Sequence, residues 1–555
     1  MRTSLLTLCF VLFFLPGILA NNVTMSNISL TDQNYPNHTC KIQFDISWEN
    51  SWRASTTVPG NWDACWVFAK YSMAGSGYWH HATLSTNQND YSCPGGCTIM
   101  PAADGKGVFI YRSQDGSGNI DWTQIKLQWN YGLNGINDDA EVEVKLFAIE
   151  MVYVNQGNFY LGDGNIATES EKAFHSGTSN SAVLITDQLV PNIQVDPFQS
   201  NDYDDAELEN GLGIDGDGGI DPDNDGIIDN AYYPTGYKAF YIMKYEISQQ
   251  QYAEFLNTLT RIQSYRRVAT DITGTSVTNV FVMSNAPTAV DYNGIRCAST
   301  IPAPPTPVTF FCDRNNNGVE ETCDAQTYTC NMLNWPDLCA YADWAGLRPM
   351  SELEYEKAAR GPNYAVTGEY AWGNTNLAIS GDSFTNNGCP NSGIVLYPDQ
   401  NTGRAYYNDD YISGKILLRC GEFASSSVNH TRQEAGAGFY GVMELSGSMQ
   451  EPTVSLGNAA GRSFRAINGN GELNAYGDAD VDYWPGINGN NESYTASGPY
   501  LGTTGVTQDA GTGSRGGSNV TNMMTLQISY RHFASMGFGL SRYYYYGGRM
   551  VRNAP

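Results

Sequence analysis

Between residue 21 and about 147 lie runs in which apolar side chains recur at every second position, a period that admits little besides paired strands. Ile42, Phe44, Ile46 and Trp48 alternate with polar residues, as do Val142, Val144 and Leu146, and clusters of Gly and Asn separate the runs. The pattern predicts a β-sandwich over 21–147, with cysteines supplementing a modest core. Gly 58 and Tyr 36 against few lysines extend the expectation of turns and strands to the rest of the 555 residues, a length that suits two domains. Asn21–Thr39 is polar yet patterned by Val23, Met25, Ile28 and Leu30, which makes it a candidate strand for donation to a neighbouring copy's sheet edge. His80 and His81 are consecutive, and consecutive residues of a strand point to opposite faces, which argues against a shared metal.

Residues 1–20 read as a cleaved secretory signal: Arg2, an apolar core over Leu5–Leu15, and Ile18-Leu19-Ala20 at the cleavage site. That core is too short to span a bilayer, so a secreted or cell-surface chain without a membrane span is expected. The 57 acids against 30 bases give a net charge of −27, which disfavours nucleic acid and anionic membranes as partners and suits divalent cations. Export favours disulfides. Cys40, Cys65, Cys93 and Cys97 form one group of candidates with three possible pairings; Cys297, Cys312, Cys323, Cys330, Cys389 and Cys420 form the other. Cys339, inside an apolar helical run, is expected to stay unpaired, and the spacing of Cys312, Cys323 and Cys330 does not suit zinc. Asn-x-Ser/Thr sequons at Asn22, Asn27, Asn37, Asn429, Asn491 and Asn519 are candidate glycosylation sites.

A series of ordered motifs fills the rest of the chain. MVYVNQGNFYLGDG begins at Met151, and FYIMKYEISQQQYAEFL spans Phe240–Leu256, with Ser248 placed to cap a helix. WAGLRPMSELEYEKAARG spans Trp344–Gly361; in it Ser351 and Glu354 form a capping box, and Leu338, Tyr341, Ala342 and Ala345 mark a buried stripe on the helix before it. YAWGN (Tyr370–Asn374), GVMELSGSMQE (Gly441–Glu451), SRGGS (Ser514–Ser518) and GGRMVR (Gly547–Arg552) complete the series. Together these resemble the formylglycine-generating enzyme (sulfatase-modifying factor) family. The resemblance implies an α+β domain with a C-type-lectin-like fold over 148–555, opened by a hairpin at Met151 and interrupted by insertions at 163–232 and 257–330. Pro302–Pro307 in the second insertion is expected to be an extended spacer.

The same resemblance makes one absence informative. Catalytic members hold copper(I) with two cysteines that follow the RGGS turn, because soft thiolates suit that ion. Here those positions fall on Thr521 and Leu526, and no cysteine occurs after Cys420. Met523 and Met524 are soft thioethers but read better as packing residues. The iron-dependent sulfoxide-synthase branch needs an H-x3-H-x-E spacing that none of the 6 histidines shows. A non-catalytic member is therefore expected, with no catalytic residues. The family's structural calcium carries over to Glu444 and Glu451 by side chain and to Gly447 and Met449 by carbonyl. Two further loops are calcium candidates from their own spacing. Asp313, Asn315, Asn317, Glu321 and Asp324 follow an EF-hand-like register bracketed by Cys312 and Cys323, against the alternative of a turn closed by a disulfide. Asp221, Asp223, Asp225 and Asp229 begin a second such register but lack the closing acid, against the alternative of a plain acidic loop. The expected function is a self-assembling structural or adhesive cell-surface protein. A glycan-binding lectin-like module and a metal-dependent peptide-thiol oxidase are the alternatives.

Overall fold

A computed structural model describes residues 23–164, 173–176, 181–186, 193–194, 230–291, 293–378, 389, 402–407, 417–424, 431–457, 459–487, 506, 508–534 and 536–555. The N-terminal part is built on strands β1 (Thr24–Asn34), β2 (Thr39–Ala54), β3 (Asn61–Met73), β4 (Trp79–His81), β5 (Cys97–Pro101), β6 (Val108–Arg112), β7 (Gly116–Trp129) and β8 (Val142–Val154). β2 pairs with β1 on one side and β7 on the other, while β3 pairs with β4, β6 and β8, and β5 pairs with β6. The two groups meet where Arg53 and Ala54 pair with Trp62 and Asn61. Ile42, Phe44, Ile46 and Trp48 share one core with Val67, Ala69, Val108, Ile110, Leu127 and Trp129, as the alternation requires. β1 lies antiparallel to β2 of its own chain, so the strand considered for donation is paired in cis, with register breaks between Ser26 and Ser29 and between Thr31 and Asn34.

The boundary expected at 147 falls inside β8. Its first residues pair with β3, and Met151–Val154 pair with β13 (Phe240–Met243), which in turn pairs with β18 (Val551–Asn553). One sheet therefore runs β3–β8–β13–β18 through both parts of the chain. Between these lie the short strands β9 (Phe159–Leu161), β10 (His175–Ser176), β11 (Val183–Ile185), β12 (Ile193–Gln194), β14 (Ile295–Arg296), β15 (Phe311–Cys312), β16 (Glu451–Val454) and β17 (Thr512–Arg515). The expected opening hairpin is not formed: β9 pairs with β11, because β8 already has a strand on each side.

Four helices carry the motifs: α1 (Gln249–Leu256), α2 (Arg261–Arg266), α3 (Trp335–Trp344) and α4 (Glu352–Arg360). All four begin in capping boxes, at Ser248, Thr260, Asn334 and Ser351. Every residue of α3 and α4 is buried, so neither presents the single stripe expected of α3. The cause is the N-terminal sheet. Trp66 and Phe68 of β3 leave its second face and pack on the α3 side of the molecule. There Lys70 Nζ donates to Trp344 O at 2.8 Å and also to Gly471 O, Trp66 Nε1 donates to Ala345 O at 2.8 Å, and Arg552 donates to Gly346 O. Three consecutive carbonyls at the α3 C-terminus are thus satisfied by residues from β3 and β18. The second insertion is a packed part of the fold: Val268, Ile272, Phe281, Ile295 and Phe310 join the main core. Its Pro302–Pro307 stretch contains a turn whose Pro302 and Thr306 carbonyls accept from Arg261, in place of an extended spacer. Among the described residues no helix is long and apolar enough to cross a membrane.

Candidate functional site

The SRGGS segment ends β17 and enters a turn with Gly516 and Gly517 at φ +86° and +67°. A Cβ on Gly517 would lie 2.6 Å from Thr525 Oγ1 and 2.7 Å from Leu526 Cδ2, so only glycine lets the following turn close over it. Thr521 Oγ1 accepts from Ser518 N at 2.7 Å and from Thr525 Oγ1 at 2.7 Å, and Leu526 is fully buried. The two positions expected to correspond to the family's thiols are thus one hydroxyl, Thr521, and one aliphatic side chain, Leu526. Met523, expected as one of a buried or interface pair with Met524, is 41 % exposed.

Arg515 of the same motif turns inward. Its Nη1 donates to Glu352 at 3.1 Å and its Nη2 to Glu356 at 2.5 Å; Arg531 bonds Glu352 through Nε at 2.7 Å, and Arg360 bonds Glu356 at 2.9 Å. Glu352, Glu356 and Arg360 stand at i, i+4 and i+8 of α4, so one helix face is a buried ladder of alternating charge. The Arg515 and Arg360 guanidinium groups hold the Glu356 carboxyl below its ordinary value against the opposing effect of burial.

The Glu444–Glu451 turn is the second part of the site. Glu444 and Ser448 adopt φ +60° and +70°, a conformation that non-glycine residues keep only when the surroundings impose it. Both oxygens of Glu451 are taken by Arg549, at 2.6 and 2.8 Å. Glu246, a residue that no motif singled out, accepts from Met449 N at 3.0 Å and Ser448 Oγ at 2.8 Å. Glu444 Oε1 accepts from Gly421 N, while its buried Oε2 has no hydrogen-bond partner. Three buried carboxylates thus face one guanidinium. Burial, followed by the charge of Glu451, pushes Glu246 well above the usual carboxylate range, and burial pushes Glu444 up to about 7. The donor set suits a hard cation in part: Glu444 offers a free oxygen, whereas Glu451 as placed is neutralised by Arg549.

The other candidate residues divide as follows. The loop holding Asp313, Asn315, Asn317, Glu321 and Asp324 is not closed by Cys312 and Cys323; Cys323 is bonded to Cys389, 66 residues on, and Cys312 is a buried thiol of β15. Cys40, Cys65, Cys93, Cys97, Cys297, Cys330 and Cys420 are thiols, as is Cys339, for which that was expected. Cys40 and Cys65 sit on different strands inside the core, where burial pushes the Cys40 thiol up to about 12. Cys93 and Cys97 are hydrogen-bonded to each other. Asn27 and Asn37 are exposed, but Asn519 is buried and its N–H donates to Ser448 O at 2.8 Å, which leaves no room for a glycan there. Asn22, Asn429, Asn491, Asp221, Asp223, Asp225 and Asp229 lie outside the described residues. Among the described residues no three His, Cys, Asp or Glu side chains converge as a ready-made metal cluster.

With the sheet, the capped helices and the two turns in place, the class of protein follows. The chain carries a domain of the sulfatase-modifying factor family: residues 216–480 match the family model described as the sulfatase-modifying factor enzyme 1-like domain. That match stops short of the SRGGS turn and β18, which the structure joins to it through Arg515 on α4 and through β13. No curated protein matches the chain.

Proposed function

We propose that this is an exported, non-catalytic member of the family, used as a structural or adhesive module at a cell surface. The observation that carries the reading is Thr521 and Leu526 in place of the thiol pair, with no cysteine after Cys420. Hydroxyl and methyl groups are poor ligands for copper(I), and the arginine of the motif is committed to the α4 ladder. In this reading the N-terminal layers are a β-sandwich that serves assembly, and the family domain keeps a C-type-lectin-like frame. β1 forms an open sheet edge, and exchange of β1 between copies would propagate a filament. Calcium belongs to the same proposal, with Glu444 supplying side-chain oxygen and Gly447 and Met449 carbonyls.

The test is an anaerobic copper(I) titration of the mature protein followed by oxygen consumption with a cysteine-containing peptide. Stoichiometric tight binding with turnover would overturn the non-catalytic assignment. Electron microscopy of the mature protein, with and without residues 21–39, tests assembly; monomers at high concentration in both cases refute it. One observation favours glycan binding as a second reading: Tyr543 and Tyr545 are partly exposed, with rings 7° from parallel and 5.4 Å apart. Such a surface suits stacking on a sugar face, and a glycan array on Tyr543→Ala and the unaltered protein decides it.

A further inference from the structure

Residues 313–324, in the segment expected as the second insertion, contain a closely organised loop. Asp313 follows β15 directly, and its carboxylate organises the residues after it: Oδ1 accepts from Asn317 N at 3.0 Å and Oδ2 from Gly318 N at 2.7 Å. Gly318 takes φ +86° at the bend. Asn315 Oδ1 and Asn317 Oδ1 each accept one backbone N–H, from Asn317 at 3.0 Å and Val319 at 2.8 Å. A carboxamide oxygen has two lone pairs, so each keeps one for another partner. Their Nδ2 groups both donate to Glu321 Oε1, at 2.6 and 2.8 Å, which fixes that carboxylate toward the same centre. Asp324 closes the loop through Oδ2, which accepts from Glu321 N at 2.7 Å.

These bonds alone describe a well-made turn. A second observation does not: Asp324 is 0 % exposed, and its Oδ1 has no hydrogen-bond partner. A buried carboxylate oxygen without a donor is costly to keep charged and asks for a cation. The other Asp324 oxygen lies on the Glu321 amide, so the carboxylate sits against the loop. Arg296 Nη1 contacts Asp313 Oδ2 at 2.7 Å and Asn316 Oδ1 at 2.8 Å. Glu320 also lies near Asp324, and Arg314 belongs to the loop. Asp313, Glu320, Glu321 and Asp324 against Arg296 and Arg314 leave an excess of two negative charges.

We propose that the loop Asp313–Asp324 binds one divalent cation, with calcium the best fit, through the side chains of Asp313, Asn315, Asn317, Glu321 and Asp324 and the Val319 carbonyl. Six oxygens of mixed charge on a flexible loop match calcium, and one such ion neutralises the excess charge. Because Cys323 tethers this loop to Cys389, the ion also fixes the anchor of a distant segment. The site deepens the calcium part of the proposed function and does not depend on whether the SRGGS turn is catalytic.

The experiment is calorimetric titration of the full chain with calcium chloride, after removal of bound metal by chelator, with magnesium chloride as a parallel arm. Asp324→Asn is expected to remove one calcium equivalent or weaken it by roughly tenfold or more. Asn317→Asp, at an exposed position, adds a charged ligand oxygen and is expected to tighten that same equivalent by roughly tenfold. Glu444→Gln should leave it unchanged. Binding unaltered by both loop variants, or lost only in Glu444→Gln, overturns the proposal. Magnesium binding equal to that of calcium refutes the ion assignment. If Asp324→Asn fails to fold, Asn317→Asp alone decides, because a purely structural turn gains no calcium affinity from that change. Oxygen consumption, measured separately, reports only on the SRGGS turn.

Discussion

Replacing Lys70 by Met tests how the two parts of the chain are joined. Lys70 is 2 % exposed and spends its amine on Trp344 O at the end of α3 and on Gly471 O. Methionine keeps the apolar stem and strands both carbonyls in the interior, a loss of about 2–4 kcal/mol from the price of unpaired buried acceptors. pH gives a sharper signature. Burial lowers the Lys70 amine from 10.5 to about 7, against the opposing charges of Glu472 and Asp343. Its folded value thus lies below its unfolded value, so between pH 7 and 10.5 the unfolded chain holds a proton that the folded chain does not. Stability contributed by the neutral amine is complete above pH 10.5 and declines as pH falls toward 7, by ~1.4 kcal/mol per unit. Lys70→Met lacks this dependence. Its deficit should therefore be larger at pH 9 than at pH 7.5, by ~2 kcal/mol. Urea unfolding followed by tryptophan fluorescence at the two pH values gives the difference directly, and titrating groups not coupled to Lys70 cancel between the two proteins. A deficit that does not change with pH, or a variant as stable as the parent at pH 9, refutes the buried-amine account.

Arg549→Met should destabilise the fold by about 3–5 kcal/mol in chemical denaturation, since it leaves Glu451, Glu246 and Glu444 buried without their guanidinium. Cys389→Ser is expected to cost about 4 kcal/mol under oxidising conditions, from the 66-residue separation that the disulfide closes, and to cost nothing once reductant is added to both proteins. In a glycosylating host, peptide mapping should find sugar at Asn27 and Asn37 but none at Asn519, which is 3 % exposed. Unfolding of the intact chain should be a single transition by fluorescence and circular dichroism, because β8 and the core on its second face belong to both parts.

What the sequence showed clearly is what local chemistry determines. Ser248 and Ser351 announce their helices because a cap and its return bond lie within one turn, and Thr260 with Gln263 carried the same signal unread. The alternation of Ile42 to Trp48 gave the strand and its inward face together. The continuity of β8 was also written, in the unbroken apolar run Leu146-Phe147-Ala148-Ile149 that departs from the alternation before it, since a strand covered on both faces loses its period. Glu246 was missed because it reaches the Glu444 turn from 198 residues away, and its only local mark is an acid amid the apolar run of β13 and α1. The Cys323–Cys389 bond was invisible for the same reason, and the nearer partner Cys312 misled.

The shared strand has an evolutionary reading. A unit attached by a linker can be cut out, duplicated or traded between genes, but this one has no seam: severing the chain near residue 147 would open the central sheet and bare the Trp344 and Ala345 carbonyls at the end of α3. The front layers therefore complete the end of that helix, and a chain without them needs other donors for those two carbonyls.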